Sequence, residues 1–196
     1  MIIGLTGGIA AGKSTVRKAA ASRHAMTSFD ADASVRRLLD EDPQIISGIR
    51  ELFGTEFLGH DGKPDRVRLR QLIYHEPDAR RRLEGLLHPR VRAEWLEMRA
   101  RCLATGRTML ADIPLLYETG VESFFDVVVV VACSVSAQLG RLESRGIGLG
   151  MAEAMLASQW PIGQKMSRAD FVIWNDGSLA ALGRQIDLLA NQLLHA

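Results

Sequence analysis

The chain alternates short apolar runs with longer stretches in which apolar residues recur at helical spacing. The run 127–133 consists of five valines followed by alanine and cysteine, with no polar residue at alternate positions. Continuous hydrophobicity is typical of a parallel strand covered on both faces, whereas a half-exposed antiparallel strand alternates. Strands that alternate with helices predict an α/β fold, here a five-stranded parallel sheet flanked by helices. The predicted strands are 2–5, 26–29, 108–113, 126–132 and 171–174.

Two insertions interrupt this alternation. Residues 41–107 precede the third strand, have apolar positions at helical spacing and contain many arginines. Residues 136–165 follow the fourth strand, and a predicted helix, 136–145, leads there into a hairpin with glycine at alternate positions. We therefore expect a helical lobe over 41–107 and a helical lid over 136–165. The remaining segments, 1–40, 108–135 and 166–196, would form the core.

Composition and charge narrow the choice of partner and compartment. The 196 residues include 24 basic and 23 acidic side chains, so no global field favours nucleic acid or an anionic membrane. The two cysteines, Cys102 and Cys133, lack metal-ligand spacing. The first residues lack the features of a signal peptide, and no apolar run approaches the roughly 20 residues that span a bilayer. We expect a cytoplasmic protein without nucleic-acid or membrane partners, as a monomer or weak homo-oligomer.

A phosphate-binding motif follows the first predicted strand. Residues 7–14 read GGIAAGKS, which fits G-x-x-x-x-G-K-[ST] between a strand and a predicted helix. Backbone N–H groups and the helix dipole would hold a phosphate chain, Lys13 would bind the β and γ phosphates, and Ser14 would give its hydroxyl to Mg²⁺. ATP and Mg²⁺ are thus the expected cofactors. The predicted nucleotide contacts here are Gly8, Ile9, Ala10, Ala11, Gly12, Lys13, Ser14 and Thr15.

Other segments exclude several classes of P-loop protein. The residues after the third strand, 112–115, read DIPL and lack the D-x-x-G of a GTPase, and no N-K-x-D occurs for guanine. A motor ATPase needs a larger coupling domain and an acidic pair at the end of the third strand. A small-molecule kinase remains, with a nucleotide-binding regulatory module as the alternative from another class.

A kinase for an alcohol needs a carboxylate near the γ-phosphate and a cation that stabilises the transferring phosphoryl group. Asp30 and Asp32 follow the second strand, where either could be that carboxylate or a helix cap. Arg141 and Arg145 are candidates for the cation, because residues four apart on a helix point the same way. Asp112 ends the third strand and is expected to act on Mg²⁺ through its water shell.

Six segments together resemble the dephospho-CoA kinase family across nearly the whole chain. They are GLTGGI with GKSTV over 4–16, DAD at 30–32, LE with HP and VR over 83–92, DIPLL with Glu118, Gln159 with Lys165, and AD over 169–170 leading to Asn175 and Gly177. Ala11 and the glycine-rich lid tip, 146–150, depart from the usual pattern. The first departure is expected to be harmless, and the second affects which lid residues make contact.

The resemblance implies a function and further site residues. It implies ATP-dependent phosphorylation of the ribose 3′-hydroxyl of dephospho-CoA, with another P-loop metabolite or nucleoside kinase as the alternative. It favours Asp32 over Asp30 as the base. From the motif and the helix spacing, Lys13 and Arg141 are the expected catalytic partners, and Arg145 is expected at the nucleotide. His88, Arg92 and Leu115 join Asp32 as expected substrate contacts, and Mg²⁺ is expected at Ser14.

Overall fold

The structure is a computed structural model that describes residues 1–194. Its five parallel strands form one sheet in the order β2-β3-β1-β4-β5, which confirms the predicted α/β fold. The predicted core segment 166–196 ends two residues beyond this range, so His195 and Ala196 lie outside the described residues. The strands are β1 (Ile2–Gly7), β2 (Thr27–Asp30), β3 (Met109–Asp112), β4 (Val127–Ala132) and β5 (Phe171–Trp174).

Two aspartates set the register where β4 and β5 begin. The Asp126 carboxylate accepts a hydrogen bond from the Ile2 N–H at 2.7 Å, while the Asp126 N–H donates to the Ile2 carbonyl. Asp170 repeats this two-way contact with the N–H and carbonyl of Val128. Each aspartate therefore ties the start of its own strand to the neighbouring strand, which fixes the alignment of the opposite ends where the phosphate loop lies.

The described residues form two compact units, 1–30 with 98–194, and Ala31–Glu97. In the first unit, α1 (Lys13–His24) and α9 (Leu179–Leu194) pack their apolar faces on the sheet. The Arg23 and His24 side chains on α1 both contact Asp187 on α9. Cys102 and Cys133 are free and buried. The core beneath α1 and α9 includes Ile3, Leu5, Val16, Val129, Val131, Ile173, Leu182 and Ile186.

The second unit, Ala31–Glu97, is helical. It contains α2 (Ala31–Glu41), α3 (Pro43–Phe53), α4 (Arg66–His75) and most of α5 (Pro77–Ala104). Asp42 and Asp65 cap α3 and α4, because each carboxylate accepts hydrogen bonds from two N–H groups of the first turn. Its buried residues include Leu38, Ile45, Ile49, Leu69, Leu83 and Trp95.

The predicted lid segment contains three short helices, α6 (Val135–Glu143), α7 (Leu149–Ala157) and α8 (Ile162–Met166). Helix α6 ends at Glu143, before Arg145, so the expectation that Arg141 and Arg145 share a helix face is wrong. The chain turns there because the Arg145 N–H bonds to the Leu142 carbonyl and Gly146 takes a positive φ of 75°. Among residues 1–194 we find no helix with the length and apolarity to cross a membrane.

Candidate active site

The phosphate loop joins the end of β1 to the start of α1, and two of its glycines have no room for a side chain. Gly7 has a φ of 146°, and a Cβ there would lie 2.0 Å from the Val131 carbonyl oxygen. Gly12 has a φ of 103°, and a Cβ there would lie 2.3 Å from Asn175 Nδ2. The loop therefore depends on glycine at both positions to turn its N–H groups inward.

Lys13 and Ser14 open α1 at the positive end of its dipole. The Lys13 ammonium donates to the carbonyls of Gly7 and Gly8 at 3.1 and 2.9 Å, so it lies over the loop. Ser14 and Thr15 are exposed, and the first turn of α1 carries no acidic side chain. The first N–H groups of a helix have no partner within the helix, which makes this end suited to an anion.

Three side chains hold the loop from its carbonyl side, and we call Gln138, Arg141 and Asn175 the carbonyl clamp. Gln138 Nε2 donates to the Ile9 carbonyl at 2.7 Å, and Asn175 Nδ2 donates to the Ala11 carbonyl at 2.8 Å. The Arg141 guanidinium reaches the carbonyls of Ala10 and Ala11 at 3.1 and 3.3 Å, and its other nitrogen donates to the Asn175 carbonyl at 2.6 Å. The clamp fixes a loop that has no regular secondary structure of its own.

Gln138 is a member of the carbonyl clamp that was not predicted from the sequence. It is buried beside Leu142 on the inner face of α6. The signal that could have identified Gln138 is its position on the apolar face of a predicted helix, because a polar side chain there needs a buried hydrogen-bond partner.

Two strand ends place carboxylates next to each other. Asp30 ends β2 and Asp112 ends β3, and the two residues are direct partners in the parallel register. Arg17, one helical turn after Lys13 on α1, lies 2.6 Å from Asp30 and 3.8 Å from Asp112. Arg17 was not among the residues predicted from the sequence, although its spacing from Lys13 places it on the same side of the helix.

Asp32, His88 and Arg92 belong to the second unit. Asp32 is exposed in the first turn of α2, two residues after the end of β2. Burial raises the pKa of the nearby Tyr74 hydroxyl, and the negative charge of Asp32 acts in the same direction, while Arg70 and Arg80 oppose it. The negative charge of Asp32 therefore acts on Tyr74 within this unit.

His88 lies inside α5, where the following residue, Pro89, also continues the helix. This differs from the helix-end position that is usual for a residue before proline. The imidazole is half-buried, and burial lowers the pKa of His88, with Arg80 acting in the same direction and Glu84 against it. Arg92 is exposed one turn further along the helix.

The remaining predicted residues lie in two surface turns. Leu115 is half-buried in the turn after β3, where its carbonyl accepts hydrogen bonds from the N–H and hydroxyl of Thr119. Arg145 is exposed in the turn after α6. The structure thus brings Arg141, but not Arg145, into contact with the phosphate loop.

The donor groups suit a metal that is only partly held by protein. Within residues 1–194 no group of three or more His, Cys, Asp or Glu side chains could hold a metal ion. The exposed Ser14 hydroxyl and the Asp112 carboxylate are oxygen donors, which Mg²⁺ prefers, and Mg²⁺ commonly takes its other ligands from phosphates and water. These residues therefore fit Mg²⁺ that arrives with a nucleotide.

A family model and curated relatives place the chain in one family. A family model described as dephospho-CoA kinase matches residues 1–181. A dephospho-CoA kinase from Anaeromyxobacter dehalogenans is 43% identical over 194 residues, which cover 98% of this chain and 92% of the relative. A crystal structure from Thermus thermophilus has a TM-score of 0.79 and 31% identity, covering 98% of this chain and 97% of that one. A dephospho-CoA kinase from Campylobacter jejuni has a TM-score of 0.70 and 26% identity, covering 98% and 96%.

Proposed function

Because this chain belongs to the dephospho-CoA kinase family, it phosphorylates dephospho-CoA with ATP in coenzyme A biosynthesis, and we propose which of its residues carry the reaction. The observation that supports the assignment most directly is the phosphate loop between β1 and α1, with Lys13 and Ser14 at the start of the helix. That loop can hold a triphosphate through its N–H groups and the positive end of the helix dipole.

Lys13 is proposed to bind the β and γ phosphates of ATP. Its ammonium now donates to the carbonyls of Gly7 and Gly8, and a phosphate chain in the loop offers it stronger, charged acceptors. The proposed nucleotide contacts of the loop run from Gly8 to Thr15. Arg145, which is exposed after α6, would reach the nucleotide from the lid.

Mg²⁺ is proposed to enter with ATP and to be held by Ser14 directly and by Asp112 through water. When bound, the ion offsets negative charge on the phosphates during transfer. Ser14 presents an uncharged oxygen at the helix start, and Asp112 presents a carboxylate at the end of β3. Neither residue alone could hold the ion firmly, which fits a metal carried by the nucleotide.

Asp32 is proposed as the general base. The 3′-hydroxyl oxygen forms a bond to the γ-phosphorus, the bond from that phosphorus to the bridging oxygen breaks, and the hydroxyl proton passes to Asp32. ADP leaves with the bridging oxygen. Asp30 is the poorer candidate, because its carboxylate accepts a 2.6 Å hydrogen bond from Arg17, whereas Asp32 is exposed.

Arg141 is proposed to stabilise charge on the transferring phosphoryl group. Three backbone carbonyls, those of Ala10, Ala11 and Asn175, hold its guanidinium in the structure. To act at the γ-phosphate it must exchange at least one carbonyl for a phosphate oxygen, which is a better acceptor for a guanidinium. The Arg141 side chain would then couple phosphoryl transfer to closure of the lid, 136–165.

The helical segment 41–107 is proposed to bind the acceptor. His88 and Arg92 lie one turn apart on α5, where a half-buried imidazole and an exposed guanidinium could meet the nucleoside and phosphate parts of dephospho-CoA. Leu115 would add an apolar contact from the turn after β3. We further propose that the protein acts in the cytoplasm as a monomer or weak homo-oligomer.

The test measures ADP release with Mg-ATP and one acceptor at a time: dephospho-CoA, adenosine, AMP, shikimate or gluconate. We expect turnover with dephospho-CoA to exceed the others and the acceptor-free background. Asp32→Asn should lower kcat by about 10² or more, because a general base contributes about 10²–10⁴ to a rate. Asp61→Asn, at an exposed turn, is the matched control and should retain normal turnover. Equal rates for all acceptors would contradict the substrate assignment, and a fully active Asp32→Asn would contradict the role of the base.

A further inference from the structure

Arg17 is a mostly buried cation that faces two carboxylates at the carboxyl ends of β2 and β3. Its Nη2 donates to Asp30 Oδ2 at 2.6 Å, its Nη1 donates to Ser28 Oγ at 3.4 Å, and its Nε lies 3.8 Å from Asp112 Oδ2. The side chains of Arg17, Asp30 and Asp112 are 12%, 20% and 8% exposed, so water screens this group less than it screens charges on the surface. One guanidinium therefore faces two carboxylates in a largely dry environment.

The two carboxylates are held close by the sheet. Asp30 and Asp112 are paired residues at the ends of β2 and β3, and neighbouring strands lie about 4.8 Å apart. Two carboxylates at this separation repel each other, and together they form an oxygen donor set that divalent cations favour. The Arg17 guanidinium offsets the repulsion, because it lies within 3.8 Å of both carboxylates.

We propose that Arg17 is a positioning residue that keeps the Asp30–Asp112 pair from binding a free divalent cation and orients Asp112 toward metal arriving with ATP. This inference rests on the proposed role of Asp112 near Mg²⁺. Arg17 lies on the same helix as Lys13 and Ser14, four and three residues from them, so phosphate binding and the orientation of Asp112 share one rigid element. The metal then reaches the site in productive form only as a nucleotide complex.

A simple structural ion pair would make a different prediction. If Arg17 only stabilised the fold, its removal would lower the free energy of unfolding and leave metal affinity unchanged. If it blocks the acidic pair, its removal creates a metal site that needs no nucleotide. Metal affinity without nucleotide therefore separates the two roles.

The experiment titrates Mn²⁺ into the 196-residue protein without nucleotide and follows free Mn²⁺ by electron paramagnetic resonance. Arg17→Met is expected to bind one Mn²⁺ at least about tenfold more tightly than the unsubstituted protein. The double variant Arg17→Met with Asp30→Asn should lose that gain, because one carboxylate of the pair is gone. Lys18→Met removes an exposed charge from the same helix and should match the unsubstituted protein.

Kinetics provide a second readout. Excess free Mg²⁺ at constant Mg-ATP should inhibit Arg17→Met and leave Lys18→Met unaffected, while the KM for dephospho-CoA stays unchanged. If Arg17→Met does not fold, Arg17→Gln removes the charge and keeps a donor for Asp30, and the same titration applies. An unchanged Mn²⁺ affinity in the folded variant overturns the proposal. Because Mn²⁺ binding needs no acceptor, failure of the substrate assignment in the ADP-release assay is a separate result.

Discussion

Lys165 Nζ lies 2.7 Å from Glu118 Oε1, and the lysine side chain is completely buried. The same ammonium donates to the Pro114 carbonyl at 2.9 Å, which also accepts the Thr6 hydroxyl at 3.0 Å. Glu118 Oε1 accepts in addition from the Trp160 N–H at 3.0 Å. Burial lowers the pKa of Lys165, and Glu118 opposes this shift. The pair therefore joins α8 to the turn after β3 and, through Thr6, to the strand that leads into the phosphate loop.

Removing only one charge of this ion pair should lower the free energy of unfolding more than removing both. Lys165→Met leaves Glu118 without its cation, and we expect the free energy of unfolding to fall by about 3–5 kcal/mol in urea denaturation. Lys165→Met combined with Glu118→Gln removes both charges and should recover most of that loss. Arg81→Met, which breaks an ion pair with Asp78 on an exposed face of α5, should cost less than about 1 kcal/mol. A double variant as unstable as Lys165→Met would contradict this account.

Gln138→Ala should weaken ATP binding more than it slows phosphoryl transfer. The substitution removes the donor to the Ile9 carbonyl and leaves the rest of the carbonyl clamp in place. A hydrogen bond of this kind contributes about 0.5–1.5 kcal/mol, so the KM for ATP should rise up to about tenfold with a smaller change in kcat. Steady-state kinetics with varied ATP measure this, with Glu143→Ala, exposed on the same helix, as control. A fall in kcat at constant KM would exclude the proposed effect on the loop.

The sheet could be predicted from sequence because its signal is local. The run of valines in β4 indicates a buried parallel strand whatever its neighbours in the sheet are. The fifth strand, β5, was predicted with the same bounds that the structure shows. The other four strands were predicted to within two residues at each end, and the start of β1 and the end of β4 were predicted correctly. Asp126, for example, was included in the fourth strand, whereas its carboxylate bonds to the Ile2 N–H just before β4 begins.

The parts of the site that sequence did not reveal depend on which elements are neighbours. Gln138 and Ile9 are 129 positions apart, and only the packing of α6 beside the phosphate loop brings them together. Arg17 gains its partners because β2 and β3 are adjacent in the sheet order. The phosphate loop itself was predictable because its glycines, lysine and serine act within eight consecutive residues.

His88 should make the protein less stable as the pH falls below about 6.5. Its pKa is lowered in the folded state by burial, so between 6.5 and the folded-state pKa the unfolded chain binds more protons than the folded chain. The stability that the neutral imidazole contributes is complete above 6.5 and is lost as the pH falls through the folded-state pKa. Urea denaturation from pH 5 to 7.5 should give a shallower pH slope for His88→Gln.

The same series with His60→Gln corrects for the loss of an exposed imidazole. The two variants have the same substitution, so the difference between their slopes isolates the burial of His88. A His88→Gln slope equal to that of the unsubstituted protein would show that the imidazole is not held neutral by burial.

Ala25→Gly should stabilise the protein, although glycine usually has the opposite effect. Ala25, the residue that follows α1, has a φ of 50° and a ψ of 30°, a left-handed conformation that costs an L-residue about 1–2 kcal/mol and glycine very little. Glycine loses about 0.4–1 kcal/mol more conformational entropy on folding, so the net gain should be about 0.5–1 kcal/mol. Ala93→Gly, exposed in the middle of α5, tests the same substitution in a right-handed helix and should lose about 1 kcal/mol. Both variants have the same side-chain change, so changes of opposite sign in the free energy of unfolding, measured by urea denaturation, would arise from backbone conformation. Equal losses of stability in the two variants would contradict a left-handed conformation at Ala25.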